Sequence, residues 1–484
     1  MTDTVTAMPA AAAGSGAVRA RLRSNLPLIG ALLGIVIFSL SRLISDTPGL
    51  TSTGMFGVAL RTAMPIAMAG LAGLYAERSG TVNIGLEGMM VMGTIFAGWW
   101  GWHWGPWIAI IGGLVGGLLG GLLHALATVT FGVNHIVSGV AINIIAPGVA
   151  RFMANALFTN ESARDQGGSV TNSPPVDGDL PHFTMPFTSG GQFFGWKSPD
   201  PLLSIEKREW FVISDVAGLL RGLTEDLTID VVIGALLIVL AWYILWRTPF
   251  GLRLRAAGEK PSAPDSLGVS VVAMRYKGMA LSGAMAGFGG ALLVFTGSQR
   301  YQEGQTGGRG FLGLATLIFG NWRPSGLVAG AGLFGYAQGI DFRVDDKDLV
   351  RAVILATAIG AGVATAYLLA RRPNYPVLGL LVVHTVLLFV YPRTDSGQGL
   401  LEIVGFLLAV GVAVILGRDR AWRDLVPYLC YLLAAFAYIK FPEPNNQAVY
   451  IFPFVVTLVV VSARSQSLRP PAAAGIPYFK GQQG

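Results

Sequence analysis

Charged residues and cysteine are both scarce in this sequence. Only 13% of the 484 residues are charged, against roughly a quarter in a soluble domain. The single cysteine, Cys430, lies inside an apolar run. One cysteine excludes an intrachain disulfide and a metal site built from cysteine ligands. The low charge excludes an ordinary soluble domain.

Motifs for catalysis are also missing. The sequence has no G-x-x-x-x-G-K-[ST] phosphate loop, since "GEKPS" (258–262) lacks the spacing, and no H-E-x-x-H motif or nucleophile elbow. His124 and His384 are single histidines in apolar runs, which is typical of hydrogen-bonded helix residues rather than metal ligands. We therefore predict no enzyme activity, no metal and no cofactor in this chain.

Long apolar stretches fill most of the sequence. Hydrophobic residues make up 52% of it, and many windows reach the roughly 20 residues that cross a bilayer as a helix. Tryptophan-rich stretches at 99–107 and 242–246 are typical of the water–lipid boundary. The alternating pattern of a membrane β-barrel is absent. We predict an all-α polytopic membrane protein with about 14 transmembrane helices.

The predicted spans follow directly from these apolar windows. The segment 310–322 is short for a span and is compatible with a re-entrant helix. The spans are 26–45, 55–76, 81–103, 106–130, 135–158, 228–246, 276–298, 310–322, 325–340, 349–370, 375–391, 398–417, 425–440 and 448–463.

Basic residues gather in alternate loops between these spans. With the N-terminus inside, the positive-inside rule is satisfied by nearly every loop, which accounts for the net charge of +7 without nucleic acid as a partner. Residues 1–24 predict a disordered cytoplasmic tail, and the Pro-, Gly- and Ser-rich residues 159–227 predict an outer loop with a helix near 209–223. The cytoplasmic basic groups include Arg19, Arg78, the loop 247–277, Arg323, Arg371, Arg418 and Arg464.

The stretch "ERSGTVNIGLEGMM" (77–90) places polar residues and glycines between two apolar segments. Such a sequence predicts a broken helix whose backbone faces protein or a water-filled cavity. Asn83 and Glu87 would then line a translocation pathway. The alternative is an ordinary cytoplasmic turn, which we favour for Glu77 and Arg78 as solvated charges. Glu87 lies inside the apolar run, where a carboxylate costs about 2.5–3.5 kcal/mol.

The basic loop 247–277 contains a predicted short helix. Ser262 and Asp265 have the spacing of a capping box, Pro264 falls in the first turn, and Gly268 is placed to end the helix. Such a helix is a plausible docking element for a partner. The alternative is a loop that only sets topology.

Three further stretches have a distinctive composition. In 132–152, Ser138 and Asn143 are candidate pathway groups or interhelical hydrogen-bonding groups, and His135 is predicted at the membrane interface. Small residues recur in "LSGAMAGFGGALL" (281–293), which favours close helix packing over a functional role. The Gly-rich stretch 307–326 ends in the turn signal Arg-Pro-Ser-Gly.

In this order, these five stretches resemble the permease subunits of ATP-binding-cassette importers for branched-chain amino acids, simple sugars and nucleosides. "ERSGTVNIGLEGMMVMGT", "GVNHIVSGVAIN", "FGLRLRAAGEKPSAPDSLGVSV", "LSGAMAGFGGALL" and "GFLGLATLIFGNWRPSG" are similar to the nucleoside branch, as is the tail "RPPAAAGIPYFKG" (469–481). The resemblance covers roughly 55–340 and 448–481.

The resemblance implies a permease core of about ten helices at 25–340, completed by a last helix and cytoplasmic tail at 448–484. It implies inward transport of nucleosides by alternating access, in a bacterial inner membrane, with both termini cytoplasmic. It further implies separate cytoplasmic ATPase subunits that bind the ATP, a second permease subunit and a periplasmic or lipid-anchored substrate-binding protein. Residues assigned to the pathway are Asn83, Glu87, Asn143 and Phe311. Residues assigned to ATPase coupling are Gly258, Glu259, Lys260, Asp265 and Gly268.

Three features depart from the family pattern. Residues 341–447 have no placed counterpart and contain four predicted spans, an even number that keeps the last span in its direction and so predicts an insertion. Pro264 stands at a position where a residue other than proline is commoner in the family, and the outer loop 159–227 is long for the family.

Several alternatives stay open at this point. A sugar or branched-chain amino acid permease is the nearest. An ion-coupled secondary transporter also fits many spans with intramembrane carboxylates, although it needs no docking helix in 247–277. A membrane-embedded enzyme would require a catalytic constellation that is not visible. The exact substrate, homo- or heterodimer pairing, the role of 341–447 and the protonation of Glu87 are undetermined by sequence.

Overall fold

A computed structural model describes most of the chain. It covers residues 26–193, 195–343, 347–371 and 468–479, together with 428, 430, 431, 433–435, 437 and 438. The predicted tail 1–24 and the predicted spans 375–391, 398–417 and 448–463 lie outside the described residues, as does most of the span 425–440.

Helices dominate the described part of the chain. They are α1 (Leu26–Ser45), α2 (Thr53–Arg78), α3 (Leu86–Trp104), α4 (Pro106–Ala125), α5 (His135–Phe158), α6 (Glu161–Asp165), α7 (Pro201–Glu206), α8 (Ile213–Gly222), α9 (Ile229–Arg247), α10 (Pro249–Glu259), α11 (Ser262–Ser266), α12 (Val271–Thr296), α13 (Arg309–Phe319), α14 (Pro324–Gly339) and α15 (Lys347–Arg371). Short 3₁₀ turns lie at Pro48–Thr51 and Ile340–Arg343, and a π-turn at Leu126–Thr130 extends α4.

Four two-residue strands lie in or beside the predicted outer loop. β1 (His182–Phe183) pairs antiparallel with β4 (Leu227–Thr228), and β2 (Gln192–Phe193) pairs with β3 (Trp196–Lys197). Helix α8 confirms the helix predicted near 209–223. β2 and β3 thus form a short hairpin, whereas β1 and β4 join positions about 45 residues apart.

Six described helices are long and apolar enough to cross a membrane. They match the predicted spans 55–76, 106–130, 135–158, 228–246, 276–298 and 349–370, and two shorter apolar helices lie at Leu32–Ser45 and Arg309–Phe319. Agreement is close because a helix in lipid satisfies its backbone by its own internal hydrogen bonds. An apolar run of sufficient length therefore specifies the span locally. The all-α polytopic class is confirmed, and the count of about 14 stays a prediction.

The chain divides into two compact units. The described residues of the first are 26–52, 202–219 and 347–371, with the described residues between 428 and 438. Within it, α1 packs against α15, and the Ser41 hydroxyl donates to the Ala352 carbonyl at 2.6 Å. The Arg42 Nε lies 2.8 Å from a carboxylate oxygen of Asp215, and both side chains are buried. A buried ion pair therefore connects α1 to α8.

The described residues of the second unit are 53–193, 195–201, 220–343 and 468–479. Its central helix, α12, packs against α2, α3 and α4. Glycines line the α4–α12 contact so closely that a Cβ on Gly287 would lie 2.1 Å from the Gly113 carbonyl oxygen. The close packing predicted from 281–293 is confirmed.

Loops that were predicted to share a side of the membrane lie together in this second unit. At one end, Arg78 donates to the Trp322 carbonyl at 2.7 Å and lies 3.4 Å from Glu259. At the other end, Val176 donates its backbone N–H to the Gln299 carbonyl at 2.8 Å. The end that faces the cytoplasm stays a prediction.

Candidate functional site

The helix predicted to break within 77–90 does break. Helix α2 ends at Arg78 and α3 begins at Leu86, leaving residues 79–85 outside regular helix. Asn83 is fully buried in this break; its amide nitrogen donates to Ser282 Oγ at 2.9 Å and its Oδ1 accepts from the Gly85 N–H at 3.0 Å. The side chain therefore ties the break to α12.

Two histidines satisfy the backbone of the break. The Val82 N–H donates to His135 Nδ1 at 3.0 Å, and the Val82 carbonyl oxygen lies 3.0 Å from His124 Nε2. His124 Nδ1 lies 2.9 Å from Ser138 Oγ. Because non-helical backbone at membrane depth needs protein or water partners, these rings stabilise the open turn.

These contacts correct two predictions and confirm a third. His135, predicted at the membrane interface, is only 2% exposed because the break folds over it. Glu77, predicted to be solvated, is buried and accepts a hydrogen bond from the Trp322 indole, since the loop after α13 covers the end of α2. His124 is a hydrogen-bonded helix residue, as predicted. The role of the two histidines was missed because only the fold brings them to Val82.

Asn143 bridges the break and the first turn of α3. Its Oδ1 accepts from the Gly88 N–H at 2.8 Å, and its Nδ2 donates to the Ile84 carbonyl at 2.8 Å. Both halves of the amide are therefore used between helices. The structure shows the interhelical hydrogen-bonding alternative, and a pathway role for Asn143 stays a prediction.

The Glu87 side chain contacts the N-terminus of α13, a helix about half as long as a membrane span. Its carboxylate accepts from the Gly308 N–H at 2.9 Å and from the Gly310 N–H at 2.7 Å. These donors belong to the free amides at the start of α13, where the helix dipole is positive. At 11 residues, α13 extends about 16 Å, roughly half of a hydrocarbon core of about 30 Å.

Phe311 differs from the other candidate pathway residues in being exposed. Its side chain is 49% exposed. In sequence it directly follows Gly310, whose N–H donates to Glu87. Around the start of α3 the structure thus brings together Asn83, Glu87 and Asn143, with an aromatic ring beside them. The polar atoms of the first three residues bond neighbouring protein groups, and a pathway role for these residues and for Phe311 stays a prediction.

The predicted coupling loop, residues 247–277, contains the predicted short helix, but the N-terminus of that helix differs from the prediction. Helix α11 has Pro261 at its N-cap and no side-chain capping bond, so Ser262 lies within the helix and the predicted capping box is wrong. Pro261 is itself in a helical conformation, which begins the turn one residue early. Gly268 ends the helix as predicted: its φ is +76°, and Val269 N–H donates to the Pro264 carbonyl at 2.9 Å in a Schellman motif.

The predicted coupling residues differ in accessibility. Glu259, Lys260 and Gly268 are exposed, whereas Asp265 is half-buried. Gly258 is buried, because a Cβ there would lie 2.4 Å from the Arg78 carbonyl oxygen, so it packs internally instead of presenting a surface. Leu267, which sequence reasoning did not select, is 83% exposed at the end of α11.

Comparison with known proteins places these features among transport permeases. A family model described as branched-chain amino acid transport system, permease component, matches residues 55–361. The chain is 32% identical over 285 residues to the guanosine ABC transporter permease protein NupQ of Bacillus subtilis, covering 57% of this chain and 78% of that protein. It is 33% identical over 279 residues to the nucleoside ABC transporter permease protein NupC of Lactococcus lactis, covering 56% and 76%.

A putative glucose ABC transporter permease protein of Haloferax volcanii is 27% identical over 305 residues, covering 62% of this chain and 80% of that protein. No solved structure matches the chain. The family match continues through residue 361, inside α15, and the insertion at 341–447 stays a prediction.

Proposed function

The chain belongs to the family of permease components of branched-chain amino acid transport systems, and from this premise we propose that it forms the pathway of an ATP-driven nucleoside importer. The permeases it resembles belong to ABC transporters, and two are named for guanosine and nucleoside transport. Cytoplasmic ATPase subunits, a second permease subunit and a substrate-binding protein would complete the assembly. Alternating access would carry the solute inward.

The observation that carries the substrate assignment is the Glu87–α13 contact with Phe311 beside it. The carboxylate is already matched by the positive end of α13, so the region carries no unmatched charge that would favour a charged solute. A nucleoside is uncharged, has ribose hydroxyls for hydrogen bonding and has a flat base. The half-exposed Phe311 ring suits that base, whereas a free sugar lacks an aromatic base and an amino acid carries two charges.

The ATPase docking surface would be the end of α11. Gly268 and the Schellman motif fix the end of this helix, and the apolar Leu267 projects from it with 83% of its surface exposed. Exposed Glu259 and Lys260 lie on the adjoining turn. An apolar anchor among charged residues is typical of a docking contact.

The docking proposal is tested by co-purification of this chain with a candidate ATPase subunit. We expect Leu267→Asp, Glu259→Ala and Gly268→Pro to reduce the bound ATPase while the permease stays monodisperse. Met185→Asp is the matched control, because Met185 is an exposed apolar residue of the predicted outer loop. A wild-type chain that binds no ATPase subunit would overturn the proposal.

The substrate is tested in proteoliposomes that contain the assembled transporter. We expect uptake of labelled guanosine that excess unlabelled ribose or leucine does not displace. Stacking of a base on an aromatic ring contributes about 1–3 kcal/mol, so Phe311→Ala should raise the KM roughly 5- to 150-fold, and Phe311→Tyr should preserve it. Uptake of leucine or ribose in place of guanosine would refute the nucleoside assignment.

A further inference from the structure

The described C-terminal residues, 468–479, lie across three separate parts of the second unit. We call this segment the strap. Its Ala473 N–H donates to the Gly258 carbonyl at 2.8 Å, and its Gly475 N–H donates to the Gly80 carbonyl at 3.1 Å. At its start, the Arg469 N–H donates to Asn321 Oδ1 at 2.8 Å. The strap therefore joins the coupling loop, the helix break and the turn after α13.

A buried arginine depends on the strap. Arg275, in the first turns of α12, is 1% exposed and donates from Nη1 to the Ile476 carbonyl at 2.8 Å. Its Nε and Nη2 have no hydrogen-bond partner among the described residues, and its guanidinium lies 5.8 Å from the centre of the Tyr478 ring. A buried charge is costly without partners, so the strap is part of what stabilises this site.

Tyr478 connects the strap to the coupling loop through its side chain. Its ring packs against the buried Ala257, Val271 and Met274, which lie on α10 and α12. Partial burial and a hydrogen bond to the Asp265 carboxylate raise the pKa of the Tyr478 phenol. Asp265 lies in α11. One side chain thus contacts all three helices around the proposed docking surface.

The coupling loop and the break also touch each other directly beneath the strap. A Cβ on Gly258 would lie 3.0 Å from the Gly80 nitrogen, and strap residues two apart in sequence bond the carbonyls of these two glycines. The two segments are therefore in backbone contact and are fastened together by a third. Such an arrangement transmits displacement because the segments have little room to move separately.

We propose that the strap, residues 468–479, is a positioning element that makes the coupling loop and the 79–85 break move as one body, so that ATPase movement at α11 reaches the transport pathway. This inference rests on the proposed function, in which α11 binds the ATPase and the break lines the pathway. The strap would act through the residues it holds.

The test uses the full transporter in proteoliposomes with three strap variants. Ala473→Pro removes the N–H that bonds Gly258, Tyr478→Ala removes the ring, and a chain ending at Ser467 removes the strap. Ile476→Ala is the matched control, because its side chain is 56% exposed and its carbonyl still accepts from Arg275. Bound ATPase, basal ATP hydrolysis, nucleoside-stimulated hydrolysis and uptake are measured together.

We expect the strap variants to keep the bound ATPase and the basal hydrolysis. Stimulated hydrolysis and uptake should fall by about 5- to 150-fold, the range of a typical coupling free energy, while Ile476→Ala matches the wild type. If the shortened chain does not fold, the comparison of Tyr478→Ala with Tyr478→Phe still tests the positioning role. Tyr478→Phe keeps the ring packing and should therefore retain more nucleoside-stimulated hydrolysis than Tyr478→Ala.

Two results would overturn the positioning role. Unchanged stimulation and uptake in all strap variants would show that the strap is not needed for transmission. Loss of the bound ATPase from these variants would make the strap a docking surface instead. Failure of the wild-type chain to bind any ATPase would refute the proposed function and is distinguishable from both.

Discussion

The carboxylate of Glu87 lies 2.7 Å from the backbone nitrogen of Gly310, across 223 residues of sequence. Its second oxygen accepts from the neighbouring Gly308 N–H at 2.9 Å. A glycine is needed at 310 because a Cβ there would lie 2.5 Å from the Glu87 backbone nitrogen. The contact explains how a carboxylate can occupy an apolar segment, since amides at a helix N-terminus stabilise negative charge.

Replacing Glu87 by glutamine should destabilise the start of α13. The amide has one acceptor oxygen and brings donor hydrogens toward the other N–H, which leaves a buried donor unsatisfied at a cost of about 1–3 kcal/mol. We expect a lower melting temperature in detergent and reduced uptake. The control is Glu303→Gln, because Glu303 pairs with Arg151 at 3.6 Å in an exposed ion pair, a type that contributes about 0–1 kcal/mol. Equal melting of the two variants would contradict the capping role.

A methyl group at Gly287 should prevent the close approach of α4 and α12. Its Cβ would lie 2.1 Å from the Gly113 carbonyl oxygen, so one helix must shift, at a cost of about 1–3 kcal/mol or more. Gly332→Ala is the control, since a Cβ there meets nothing within 4 Å. Gly287→Ala should lower the melting temperature and the fraction of monodisperse protein in size-exclusion chromatography, and Gly332→Ala should change neither. Wild-type behaviour of Gly287→Ala would mean that this helix contact is looser than the structure indicates.

Asn143→Asp should open the first turn of α3. The carboxylate still accepts from the Gly88 N–H, but it cannot donate to the Ile84 carbonyl, and two oxygens then face each other. An unsatisfied buried group costs about 1–3 kcal/mol, so the melting temperature should fall. The control Asn155→Asp places the same change on an exposed position of α5 and should melt like the wild type. Indistinguishable melting of both variants would rule out a bridging role for Asn143.

The Asp226 carboxylate should make the predicted outer loop sensitive to acid. Partial burial raises its pKa, but hydrogen bonds from His182 and Arg61 outweigh that effect and lower it below the ordinary 3.8. A lowered pKa means that the folded state binds fewer protons than the unfolded state. The contribution of Asp226 to stability is therefore present at a pH above its ordinary pKa and is lost as the pH falls through its lowered pKa. This exposed pair should contribute about 0–1 kcal/mol.

We therefore expect Asp226→Asn to speed proteolysis of the loop near neutral pH and to match the wild type in acid below the lowered pKa. Limited digestion with an acid-tolerant protease over this range measures the difference. Asp177→Asn, at an exposed position in the same loop, is the control. A difference that persists in acid would show that Asp226 acts through something other than its charge.

The helices that cross the membrane were predictable because their determinants are local. Predicted and observed bounds coincide for α5 (His135–Phe158), and the predicted span 228–246 differs from α9 by one residue at each end. The break before α3 and the end of α11 at Gly268 were also predictable, because polar residues interrupt an apolar helix and glycine accepts a left-handed conformation. Ser262 shows the limit of such patterns, since Pro261 took the N-cap.

The partners of the polar residues were not predictable in the same way. Glu87 could be selected as an unusual intramembrane carboxylate, yet its bond to the start of α13 depends on residues 221 and 223 positions later. His135 looked like an interface residue until the fold brought Val82 onto its ring. The strap contacts of Gly258 and Gly80 join residues hundreds of positions apart, and no local pattern specifies them.

The sequence by itself determined that this protein is a helical membrane protein, the positions of its described spans and, through its motifs, the permease family. Those properties follow from apolar length and turn chemistry, which act within a few residues. Only the tertiary structure decided which groups satisfy the broken backbone, where Glu87 finds its donors and how the C-terminal strap reaches the coupling loop. These outcomes depend on backbone groups that every residue carries, so side-chain patterns do not reveal which of them will meet.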